Sequence, residues 1–183
     1  MDFAKYIKNF DSDTIYYGDK NFITNSQLGK LAHSPAKLEH YRKYGQDDTN
    51  ALLFGRAFHQ NILEPKKYKD QVISYDGVRR GKAWDEFKLN NDDKTIITKG
   101  EEKSLHKMRE KLLSIPRVKN LLSNGQAEVV NCWEDQDTGV YCKGKADYVK
   151  DENGRKIIVD IKTTQSHVMN EFRRSSLKYG YDR

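Results

Sequence analysis

The hydrophobic period of this chain changes part-way along its length. Up to about residue 125 the apolar side chains recur every three to four residues, and from Glu128 onward they alternate with polar ones at a spacing of two. Glu128 to Trp133, Tyr141 to Tyr148 and Lys156 to Lys162 therefore read as three strands. Asp135 to Gly139 supplies the first turn, and Asp151-Glu152-Asn153-Gly154 the second. Turns this short join antiparallel neighbours, so the pattern predicts a three-stranded antiparallel meander.

The helical part has its own punctuation. Asn25 or Ser26 can cap a short helix that runs to about Ala32, and Ser34 with Pro35 at the first turn restarts one that ends near Gly45. Ala51 to Leu63 is a mostly apolar helix stopped by Pro65. Phe54, Ala57, Phe58 and Ile62 form one stripe, and Leu52, Gly55, His59 and Leu63 the next. A helix this apolar is expected to lie on the sheet and carry His59 to it. Asp70 to Lys94 is charge-rich and poorly periodic. Thr98 and Glu101 make a capping box for a helix carrying Leu105, Met108 and Leu112, and a short helix follows Pro116. After Thr164 the chain is polar, with one short helix between Val168 and Leu177.

The reading is one α/β (α+β) unit without repeats or linkers. Residues 1–24 form an N-terminal arm anchored by scattered aromatics. Residues 25–183 form a single domain, with a helical part over 25–125, a sheet part over 126–164 and a C-terminal segment over 165–183. At 183 residues the chain is long enough for one real core. Its 33 Lys plus Arg exceed its 27 Asp plus Glu, a formal net charge of +6 that favours polyanionic partners without specifying one. Cys132 and Cys142 lie in strand-like runs and offer neither paired metal-ligand spacing nor a disulfide framework. No segment has the length of a membrane span, and the N-terminus lacks a secretory apolar stretch, so no membrane partner and a cytoplasmic, reducing location are expected.

Strand alternation suggests a site. Lys156, Ile158, Asp160 and Lys162 share one face of the third strand, and Tyr141, Lys143, Lys145 and Asp147 point together from the second. Pairing through the turn brings Asp147 and Asp160 toward one end of the sheet. Two carboxylates held close repel unless a cation joins them, and an oxygen-rich pocket suits Mg²⁺ or Mn²⁺. Such a cation activates water for phosphodiester hydrolysis. Lys162 can position that water or stabilise developing charge. His59 can complete the metal shell from the facing helix, and Glu128 is a further candidate whose side depends on register. Arg79, Arg80 and Lys82, with Lys143 and Lys145, are candidate phosphate contacts. Each feature has a plainer reading: D-x-K triplets arise by chance, a lone histidine is commonly a core residue, and an Arg-Arg-Gly-Lys run is commonly a solvated face.

Several stretches taken together resemble the C-terminal nuclease domain of RecE-type phage recombination exonucleases, within the PD-(D/E)xK superfamily. They are Ser34-Pro35-Ala36-Lys37 with Tyr41; Leu53-Phe54-Gly55-Arg56-Ala57-Phe58-His59 leading to Leu63-Glu64-Pro65; and Arg79-Arg80 with Lys82. Ala127-Glu128-Val129 with Trp133, Cys142-Lys143-Gly144-Lys145-Ala146-Asp147, Val159-Asp160-Ile161-Lys162-Thr163-Thr164 and Tyr179-Gly180-Tyr181 follow in order. The resemblance implies a restriction-endonuclease-like core. It also implies that His59, Asp147, Asp160 and Lys162 fall on the family's histidine, its two acidic ligands and its lysine. It further implies Mg²⁺-dependent degradation of linear double-stranded DNA from 5′ ends, and ring assembly in some relatives. In that family Tyr181 would begin a last core helix, followed by a fourth strand, whereas the sequence stops at Arg183. Three expectations stay open: a fragment, a fold completed by a second copy or a protein partner, or a shortened nuclease fold kept as a binding protein, such as a phage inhibitor of a host defence complex.

Overall fold

A computed structural model describes residues 2–10, 12–164 and 168–179. Two short helices open it, α1 (Phe3–Asn9) and α2 (Asp13–Gly18), followed by α3 (Asn25–Leu31) and α4 (Pro35–Tyr44). Next come α5 (Asn50–Leu63), α6 (Pro65–Gln71), β1 (Val72–Tyr75), α7 (Lys82–Leu89) and β2 (Thr95–Thr98). The helices α8 (Lys99–Leu113) and α9 (Pro116–Leu121) precede the meander β3 (Gly125–Glu134), β4 (Tyr141–Glu152) and β5 (Arg155–Val159), and α10 (Met169–Tyr179) follows it.

The caps explain where helices start. Thr24 and Gln27 form a capping box on α3, and Thr98 and Glu101 form one on α8. Ser34 caps α4, whose first residue is Pro35, and Thr49 caps α5. Pro65 both ends α5 and begins α6, because a proline at the first helical position loses no helical hydrogen bond.

The sheet is antiparallel in the order β3-β4-β5, as the switch to period 2 predicts. The β4–β5 turn is tighter than the sequence suggests, since β4 runs on to Glu152 and only Asn153 and Gly154 turn, both at positive φ. The third strand stops at Val159 instead of Lys162. The amide of Ile161 there donates to the Asp147 carboxylate at 2.7 Å and not to a β4 carbonyl. A second, two-stranded sheet pairs β1 and β2 in parallel through α7, and the charge-rich sequence between Asp70 and Lys94 gave no sign of it.

Two cores hold the elements. Ala57, Phe58 and Ile62 of α5 pack with Ile97, Leu105 and Ile161, so α5 reaches the sheet through the segment that follows β5. Phe10, Tyr16 and Phe22 pack against Val130, Cys132 and Tyr141 of β3 and β4. The N-terminal residues thus bring a core of their own to one face of the sheet. Ile23 extends that contact by bridging to Cys142 beside β4.

Candidate metal centre

Register places the first two site residues. Ala127 pairs with Tyr148 and Val129 with Ala146, so Glu128 stands across from Asp147 on the same face. Glu128 adopts φ 54°, a left-handed backbone conformation that is uncommon outside glycine and costs on the order of 1–3 kcal/mol. Helix α5 delivers His59 from the other side. The ligand atoms of His59, Glu128 and Asp147 all lie within 4.8 Å of one another.

The hydrogen bonds fix the histidine's tautomer. His59 Nε2 lies 2.5 Å from the Ile161 carbonyl oxygen. A carbonyl can only accept, so Nε2 carries the proton. Nδ1 is then the nitrogen that faces Asp147 Oδ2, 3.6 Å away. Metal-ligating histidines are commonly oriented this way, with the second nitrogen donating to a backbone carbonyl. The Ile161 peptide is gripped on both sides, its carbonyl by His59 and its amide by Asp147. Burial pushes the Asp147 carboxyl above the usual carboxylate range; the Ile161 amide and the charges of His59 and Lys162 only partly oppose this.

The PDDEXK-like domain of unknown function (DUF3799) matches residues 24–183. The chain belongs to this family. No curated protein matches the chain significantly. The α/β core, a three-stranded antiparallel sheet packed against helices, is the PDDEXK-like fold.

The donor set of this PDDEXK-like site fits a divalent cation. One imidazole nitrogen and two carboxylates suit Mn²⁺, and Mg²⁺ with water completing its shell. Opposite ligands of an octahedral Mg²⁺ stand about 4.2 Å apart, so ligands spread over 4.8 Å need only a small inward adjustment.

The other D-x-K residues stand differently from expectation. Ile161 is buried, whereas Asp160 and Lys162 on either side of it are exposed. The Asp160 side chain is 56% exposed and pairs with Lys162 Nζ at 2.5 Å. Among the described residues, Asp160 is not one of the three clustered ligands. Lys162 still lines the same trough as the cluster, a concavity of about 1270 Å³.

The basic candidates separate into three kinds. Lys143 is 2% exposed; its ammonium donates to the Tyr16 and Asp19 carbonyls and sits among the rings of Phe10, Tyr16 and Phe22. The Lys143 ammonium, read from the sequence as a phosphate contact, thus faces the N-terminal core. Burial also lowers its pKa from the ordinary lysine range. Arg79 is inward as well, donating to Asn50, the Ile96 carbonyl and Glu101. Arg80 and Lys82 are exposed. Lys145 lies in the trough, 2.6 Å from Glu128 and 2.7 Å from Asp13. Burial works against its charge, but the hydrogen bonds to Asp13 and Glu128 outweigh that and hold its pKa above the usual lysine range.

Asp13, Arg56 and Lys67 also line the trough and were missed in the sequence. Arg56 precedes His59 by three residues on α5, a spacing that signals a shared helix face. Asp13 had no local signal, because only the docking of α2 brings it across.

Proposed function

We propose that the chain is a metal-dependent deoxyribonuclease of the RecE-like phage recombination type, hydrolysing phosphodiester bonds of linear double-stranded DNA. The observation that carries this reading is the convergence of His59 Nδ1, Glu128 and Asp147, with the histidine's other nitrogen committed to Ile161. Family membership supports it. Mg²⁺ or Mn²⁺ bound there supplies an activated water and positive charge for the transferring phosphoryl group. Glu128, Asp147 and His59 would hold the ion. Lys162, on the trough wall, stabilises negative charge on the phosphoryl oxygens, and Asp160 orients its ammonium. Arg80 and Lys82 contact backbone phosphates, which makes binding salt-dependent and indifferent to sequence. β5 is an edge of the described sheet with Ile158 66% exposed, a surface that self-association would cover.

One observation favours a second reading, a catalytically impaired nuclease fold that binds another protein. Asp160 and Lys162 are tied to each other, with Asp160 outside the ligand cluster. A gel assay decides between the two. End-labelled linear duplex and closed circular duplex are incubated with wild type or K162A in Mg²⁺, Mn²⁺ or EDTA. Divalent-dependent loss of linear DNA, sparing circles and abolished by K162A, is the expected result. If neither substrate is cut at any protein concentration, the nuclease reading fails and the binding-protein reading stands.

A further inference from the structure

We propose that Lys145 and Asp13 form a cation relay at the metal centre. The Lys145 ammonium neutralises Glu128 until a divalent ion takes that carboxylate, and Asp13 of α2 then receives the ammonium. This rests on the metal-site reading above.

The geometry is that of one ammonium shared between two carboxylates. Lys145 Nζ is 2.6 Å from Glu128 Oε2 and 2.7 Å from Asp13 Oδ1. Glu128 is a candidate metal ligand, whereas Asp13 is not one of the three clustered ligands. A divalent ion and an ammonium in contact with the same carboxylate repel strongly in a partly buried site, so metal binding at Glu128 opposes the Lys145 contact. The Lys145 side chain is 16% exposed and walled by the Tyr16 and Tyr17 rings, which limits its escape to solvent. It need not escape, because Asp13 already holds it. Asp13 is itself balanced by Lys67 Nζ at 3.5 Å and is half exposed, so its part here is electrostatic more than packing. Asp13 precedes the family match, which begins at residue 24, whereas Lys145 lies within it.

The two residues therefore act in opposite directions on metal binding. Lys145 competes with the ion, and Asp13 relieves the competition. Calorimetric titration of the full chain with Mn²⁺ alone, without DNA, reads both. K145M, which keeps the aliphatic packing, is expected to tighten Mn²⁺ binding about tenfold. D13N, which leaves the ammonium with Glu128 alone, is expected to weaken it about fivefold. The K145M/D13N double variant should match K145M, because Asp13 acts only through Lys145. Thermal unfolding in EDTA checks that each variant is folded, and the exposed D13N site keeps the test valid should K145M fold poorly. Unchanged or weaker binding in K145M overturns the relay. So does a D13N effect that persists undiminished in the double variant. Absence of Mn²⁺ binding by wild type would instead overturn the metal-site reading itself, and the relay with it.

Discussion

Replacing Lys143 by methionine is expected to loosen the N-terminal helices from the sheet. Lys143 is the largest charged group sealed inside the described structure, with its side chain 1% exposed. Its ammonium satisfies two backbone carbonyls, those of Tyr16 and Asp19, the latter at 3.1 Å. The Phe10 and Tyr16 ring centroids lie 4.9 and 4.7 Å from it. Methionine fills nearly the same volume but donates nothing, so both carbonyls lose their donor. Each buried orphan costs about 1–3 kcal/mol, and a desolvated cation–π contact contributes up to about 2 kcal/mol more. Relief of the ammonium's own burial penalty, visible in its lowered pKa, offsets part of this. A net loss of about 2–3 kcal/mol lowers the Tm of a chain this size by roughly 5–10 °C. Differential scanning calorimetry reads the Tm, and amide hydrogen exchange locates the change. Faster exchange is expected in α1 and α2, with β3–β5 still protected. A K143M protein with wild-type Tm and unchanged exchange in α1 and α2 would refute the idea that this ammonium clamps the N-terminal core.

Burial pushes the Tyr16 phenol up to about 12, so the native phenol keeps its proton where an unfolded tyrosine, titrating near 10, has lost it. The folded pKa is the higher one, so this stabilisation is complete below about pH 10 and disappears as pH rises through about 12. Chemical denaturation across that window should show wild type losing about 2–3 kcal/mol relative to Y16F; parallel curves would contradict it. R79A is expected to cost about 1–3 kcal/mol, because it strips donors from Glu101 and the Ile96 carbonyl, and urea unfolding checks this. R80E/K82E should leave urea unfolding unchanged while weakening duplex binding in fluorescence anisotropy, equally for all sequences and most at low salt. T98A removes the capping box of α8 and should lower stability by about 1 kcal/mol, measured the same way.

The elements legible in the sequence are those with local physical signals. The switch to period 2 located the meander, and Thr98 with Glu101 marked the start of α8 because both halves of a capping box are spelled in four residues. Alternation assigned Asp160 and Lys162 to one face and Ile161 to the other. Periodicity does not say which face is buried, and the apolar Ile161 took the inside. β1 and β2 are four residues each, too short to show a period among so many charges. The aromatics before residue 24 have no regular spacing, so they signalled anchoring but not a second core. His59, Glu128 and Asp147 were each nameable from their elements. Their convergence depends on a left-handed Glu128 and on the Ile161 peptide gripped between the other two, which are properties of the folded chain.

We propose that His59, Glu128 and Asp147 together hold one divalent ion. Anomalous scattering from crystals soaked in Mn²⁺ tests it most directly. A single strong peak at bonding distance from His59 Nδ1 and from carboxylate oxygens of Glu128 and Asp147 is the predicted result, with the peak lost in D147A crystals. A peak bound by Asp160 without Glu128, or no peak in this trough at saturating Mn²⁺, would contradict it.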